Sequence, residues 1–148
     1  MEARNARQRA PLPLLSAMTH PPAAKLFVTE TRLPPDPWWV VCLCAAWCNT
    51  CGDYRTTFET VAREWPAMRF EWVDIEDEAE VTGEVDVETF PTLLVADASG
   101  VRFLGPLLPQ AGVLTRLLGS LHAAASGSRA VGGAEAQALF ERVCAARR

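Results

Sequence analysis

The sequence predicts an α/β fold, and three observations carry that reading. An apolar run rich in strand formers, Trp38-Trp39-Val40-Val41-Cys42-Leu43-Cys44-Ala45-Ala46, leads straight into a stretch where Tyr54, Phe58, Val61, Ala62 and Trp65 recur at helical spacing. A second strand-like run, Phe70 to Ile75, follows that helix. Later, two short strand-like runs flank Asp97-Ala98-Ser99-Gly100 and a further amphipathic helix comes after them. With 148 residues, about half of them apolar, the chain has enough material for one domain with its own core.

Taken in order, residues 1–22 read as a flexible tail, with four prolines and no periodicity. The domain then spans 23–122. Lys25 to Thr29 is a short strand candidate and Arg32 to Pro37 a proline-rich loop. Val40 to Ala45 is the central strand. Cys51 to Trp65 is the helix after it, which Pro66 helps to end. Phe70 to Ile75 is apolar enough to be a strand buried on both faces. Thr92 to Ala96 and Val101 to Leu104 form a hairpin, and Val113, Leu114, Leu117, Leu118 and Leu121 mark the next helix. A Gly/Ser/Ala linker covers 123–133. An additional helix within 134–148 carries Leu139, Phe140 and Val143 on one stripe. It is expected to dock as an addition, so that its loss weakens the fold without abolishing it.

The chemistry concentrates in Trp47-Cys48-Asn49-Thr50-Cys51. A strand that turns into a helix through Cys-x-x-Cys sets the first sulfur at the helix N-terminus, where unpaired N–H groups and the macrodipole stabilise an anion. The thiolate is the nucleophile in disulfide exchange. The second cysteine lies within one turn and can attack a mixed disulfide formed at the first.

These residues resemble the active site of the thioredoxin family. Phe90-Pro91-Thr92-Leu93-Leu94-Val95 resembles the family's cis-proline loop with its following strand, and Gly105-Pro106 the glycine after the last strand. The resemblance covers about residues 25–122. It implies a thioredoxin-like fold: a central mixed sheet of about four to five strands flanked by helices, to which the C-terminal helix is extra. It also implies a thiol–disulfide oxidoreductase, with Cys48 as nucleophile and Cys51 as resolving thiol. Trp47, Asn49, Thr50, Phe90, Pro91 and Gly105 then border the substrate groove. The partners would be protein disulfides or dithiols and an external reductant, with no cofactor.

Several positions depart from the family pattern. Asn49-Thr50 stands where Gly-Pro is usual, Gly52 where lysine is common, and Thr56 where a proline kinks the helix. The family's buried aspartate falls on Cys42 and its lysine partner on Trp72. A buried carboxylate without its partner is costly, so losing both together is the tolerable route. Without that carboxylate as base, resolution by Cys51 is expected to be slower.

Other readings compete for the same residues. Cys42, Cys44, Cys48 and Cys51 form C-x-C-x₃-C-x₂-C, which could hold zinc or an iron–sulfur cluster. A thioredoxin-like binding module without efficient turnover is the other alternative. Period 2 puts Cys42 and Cys44 on one strand face inside the core, where both would pack as small apolar groups, with a backup thiol role for Cys42 as the alternative. Cys144 is taken as a packing residue, with an exposed thiol that forms an intermolecular disulfide as the alternative. His20 and His122 have no evident partners.

The net charge of −4 offers no basic footprint for nucleic acid. No stretch is long enough to span a membrane, and the broken apolar run from Pro11 to Met18 makes a poor signal core. Too few cysteines for a disulfide scaffold point to the reducing cytoplasm, with the protein a monomer. Nine acids and no base lie between Glu71 and Glu88, read as a solvated face.

Overall fold

The computed structural model describes residues 33–124 and 133–148. The tail, the Lys25 to Thr29 strand, His20 and most of the linker lie outside the described residues. The elements are β1 (Trp38–Cys44), α1 (Asn49–Glu64), β2 (Met68–Asp74), the short α2 (Ala79–Thr82), β3 (Thr92–Asp97), β4 (Gly100–Pro106), α3 (Ala111–Ala124) and α4 (Gly133–Ala146). Among the described residues the sheet has four strands in the order β2-β1-β3-β4. β1 and β2 run parallel, as the intervening helix requires, and β3 lies antiparallel to both β1 and β4. The sheet is therefore mixed.

Alternation along β1 divides the core in two. Val40, Cys42 and Cys44 face α1 and α3, where they meet Tyr54, Phe58, Val61, Leu114 and Leu118. Val41 and Leu43 face the other way, joining Val73, Leu94, Ala96 and Val101.

Two expectations are corrected here. Among the described residues β2 stands at the end of the sheet order, and most of its residues are only half-buried, so it is not a strand covered on both faces. The additional C-terminal helix docks on the sheet. Ala136, Leu139 and Val143 of α4 are fully buried against the second face of the sheet, and α4 is the longest helix on that face. Its end is fastened by Arg147, which donates to Glu71, Glu78 and the Trp72 carbonyl, and Arg142 donates to the Val81 and Thr82 carbonyls. His122 is not isolated either; its ring lies against Trp38 and Trp65.

Candidate functional site

The site forms where β1 ends and α1 begins. Cys48 is the N-cap residue of α1, extended at φ −91° and ψ 119°. Its N–H donates to the Ala45 carbonyl at 3.0 Å, and its carbonyl accepts from Gly52 N–H at 3.1 Å. These bonds fix the turn. The cap has no side-chain hydrogen bond and the first helical turn has no acid, so the positive end of the helix is left to the Cys48 sulfur. Cys48 is half-buried and unbonded, and Asn49 and Thr50 beside it are exposed.

Cys51 lies one turn on and is 2% exposed. The sequence pairs it with Cys48, but in the structure the sulfur–sulfur bond joins Cys51 to Cys44. The reason is geometric. Alternation turns the side chain of Cys44, the last residue of β1, toward α1, and the Cα atoms of Cys44 and Cys51 are 5.8 Å apart, within disulfide reach. Cys44 is thus more than packing. The missed signal was the placement of Cys42 and Cys44 on one face, because that face is the one α1 covers.

Cys42 remains a buried free thiol and donates to the Cys44 sulfur at 3.8 Å. Burial pushes its thiol well above the usual range, while the charge of Arg55 pulls weakly the other way. Its register partner on β2 is Trp72, as the two departures from the family pattern anticipated, and the Arg55 guanidinium stacks 4.6 Å from the Trp72 ring. A cavity of about 300 Å³ opens beside Cys51, lined by Ala45, Ala46, Arg55, Trp72 and Asp74 among others.

The four-sulfur metal site is not assembled. Two of its sulfurs are bonded to each other, and among the described residues no three His, Cys, Asp or Glu side chains converge as ligands. Cys144, on α4, is half-buried and carries a free thiol.

Trp47 is 65% exposed. Its indole N–H donates to Glu76 at 3.1 Å, and its ring meets Phe90 edge-on at 5.5 Å between centroids. The Phe90–Pro91 bond is cis. Extending the β1–β3 register one step past Leu43↔Thr92 puts Pro91 opposite Cys44. Pro91 accepts a hydrogen bond from Leu107 N–H at 3.1 Å, and Gly105 pairs with Leu93 on the same edge of the hairpin. The structure thus gathers Trp47, Cys48, Cys51, Phe90 and Pro91 at one end of β1 and β3, with Gly105 at the corresponding end of β4.

A mixed four-stranded sheet with a Cys-x-x-Cys at the head of the helix after β1 defines a thioredoxin-fold domain. The chain belongs to the thioredoxin family: the family model described as thioredoxin matches residues 25–103, more than half of the chain. Among curated proteins it is similar to a putative thioredoxin H10 of Arabidopsis thaliana, 38% identical over 55 residues. That match covers 37% of this chain and 36% of the relative, so the chain spans about a third of the relative's length. Among solved structures it is similar to the germline-specific thioredoxin Deadhead of Drosophila melanogaster (20% identity, TM-score 0.52, 59% of this chain and 83% of that one). It is also similar to the thioredoxin of Fasciola hepatica (22% identity, TM-score 0.52, 66% and 92%). These likenesses show the fold. Together with a disulfide-capable cysteine pair, membership of the family supports thiol–disulfide chemistry at the family level. Among the described residues no helix is long and apolar enough to cross a membrane.

Proposed function

We propose that this protein is a thiol–disulfide oxidoreductase acting on protein disulfides, with Cys48 as nucleophile and Cys51 as resolving thiol. The observation that supports it best is the position of Cys48: half-buried, unbonded, at the N-cap of α1 and one turn from Cys51. In the reducing direction the Cys48 thiolate attacks a partner disulfide and displaces one partner thiolate. Cys51 then attacks the Cys48 sulfur of the mixed disulfide, releasing the second partner thiol. An external reductant of the cytoplasm resets the pair. Trp47 and Phe90 form an aromatic wall beside the reactive sulfur, and the backbone leading into Pro91 is the edge along which an extended partner segment pairs.

The test is trapping. Cys51→Ser should hold partner proteins as mixed disulfides on Cys48, and Cys48→Ser should lose disulfide reduction. Reduction that survives Cys48→Ser at the wild-type rate would overturn the assignment. One observation favours a binding module without turnover: Cys51 is bonded to Cys44 rather than free to resolve. A wild-type protein that captures partners but reduces no disulfide would establish that alternative.

A further inference from the structure

We propose that Cys44 is a third redox cysteine, so that the oxidised protein stores its disulfide as Cys44–Cys51 and passes it to Cys48 by internal exchange. The proposal rests on the oxidoreductase reading and extends it to a residue outside the Cys-x-x-Cys.

The observations are the bond itself and where its sulfurs lie. Cys44 is 0% and Cys51 2% exposed, so an outside thiol has almost no access to either sulfur of the stored bond. Cys48 packs against the same cluster and is the only one of the four cysteines between Cys42 and Cys51 that is not buried. It is the N-cap three residues before Cys51, at the head of the same helix. Cys48 is therefore the thiol through which the buried disulfide communicates with partners.

The exchange balances without any co-reactant. The Cys48 thiolate attacks the Cys51 sulfur; the Cys44–Cys51 bond breaks and a Cys48–Cys51 bond forms. Cys44 departs as thiolate and takes up a proton equivalent to the one Cys48 gave up. One disulfide is lost and one gained, so no electrons enter or leave. The Cys42 S–H, which burial keeps protonated, points at the Cys44 sulfur and hydrogen-bonds the departing thiolate. The reverse exchange, Cys44 attacking Cys51, withdraws the disulfide after turnover and frees Cys48. The oxidised protein thus keeps an available thiol at its surface while its disulfide is shielded, and both loading and reset run through Cys48.

The test uses the full chain oxidised with diamide, then labelled under native conditions with N-ethylmaleimide, the label being placed by tandem mass spectrometry within Leu33–Arg55. Oxidised wild type should carry label on Cys48, whereas oxidised Cys44→Ser, in which Cys51 is left to pair with Cys48, should label there about tenfold or more slowly. Cys48→Ser should still lose two thiols on oxidation, and glutathione should reduce that disulfide about tenfold or more slowly than in wild type. Circular dichroism establishes that each variant is folded. A wild type whose Cys48 is blocked and Cys44 free overturns the proposal. So does a folded Cys48→Ser that keeps all its thiols, or one reduced as fast as wild type. A protein that gives the expected labels and reduction rates yet reduces no partner disulfide supports the three-cysteine exchange and refutes the oxidoreductase reading.

Discussion

Cys42 lies 3.8 Å from the Cys44 sulfur, and its environment decides what can replace it. It is fully buried, faces α1, and has Trp72 as its cross-strand partner. Cys42→Asp, which restores the family's residue type without its lysine, should lower stability by on the order of 3–5 kcal/mol, the scale of a buried charge lacking its partner. The nearby Arg55 is exposed and engaged with Glu59 and the Trp72 ring, so it offsets little of this. A denaturant midpoint for Cys42→Asp within error of wild type would show that Arg55 does pair with the new carboxylate. Tyr54 presents the opposite case. Its ring is 1% exposed and its hydroxyl is buried without a hydrogen-bond partner among the described residues. Burial, then the neighbouring Cys42, pushes the hydroxyl far above the usual tyrosine range, so it stays neutral. Removing an unsatisfied hydroxyl removes its desolvation cost. Tyr54→Phe should therefore raise stability by on the order of 1 kcal/mol, read from the same denaturant midpoint. A fall of that size would reveal a hydrogen bond to Tyr54. The position of the Cys-x-x-Cys at the head of a helix and the cis Phe90–Pro91 bond were legible in the sequence, because motif and turn chemistry are local. The bond to Cys44 was not, because it depends on which face of β1 the helix covers.

At the scale of elements, the helices were legible from their stripes, and the strands β1, β3 and β4 from runs bounded by turns. β2 was misread because its apolar residues suggested a strand covered on both faces. Met68 and Val73 are the two that are fully buried, while Phe70 and Trp72 are half-covered by α1 and by the Arg55 side chain. The acidic stretch was only partly a solvated face. Glu71 and Glu78 both accept from Arg147, at 2.9 and 2.7 Å, which ties β2 and the turn before α2 to the end of α4. The hydrogen bonds from Arg147 hold the Glu78 carboxyl below the usual carboxylate range, against the opposing effect of burial. A carboxylate with a depressed folded-state pKa contributes stability that is present above its unfolded value and lost as pH falls through the folded one. The fold should therefore lose stability as pH drops below about 5, and Arg147→Met should flatten that slope. Thermal midpoints between neutral pH and pH 3 measure it. Equal slopes in the two proteins would show that the Arg147 cluster contributes nothing to stability.

Across the whole molecule, the sheet needs cover on both faces, and this requirement gives α4 its importance. α1 and α3 cover the face that carries Cys42 and Cys44. On the other face, Val41, Leu43, Leu94, Ala96 and Val101 lie against Ala136, Leu139 and Val143 of α4, with the four-residue α2 adding Val81. The sequence showed the α4 stripe but not its destination, because a stripe says that a helix buries one side and not what it buries it against. The second face of β1 is thus sealed by a helix nearly ninety residues further along the chain. Burying each of Leu139 and Val143 contributes about 1.5–3 kcal/mol, and the sheet residues they cover gain a similar amount. That sum is comparable with the roughly 5–15 kcal/mol by which a domain of this size is stable. Ending the chain at residue 132 should therefore abolish cooperative unfolding rather than merely lower the midpoint, and the truncated protein should bind 1-anilinonaphthalene-8-sulfonate through its exposed sheet face. Leu139→Ala in the full chain gives the graded version, with an expected loss of about 2–5 kcal/mol. If the truncated chain melts cooperatively within a few degrees of the full one, α4 is a passenger on the sheet and the second face is closed by other residues.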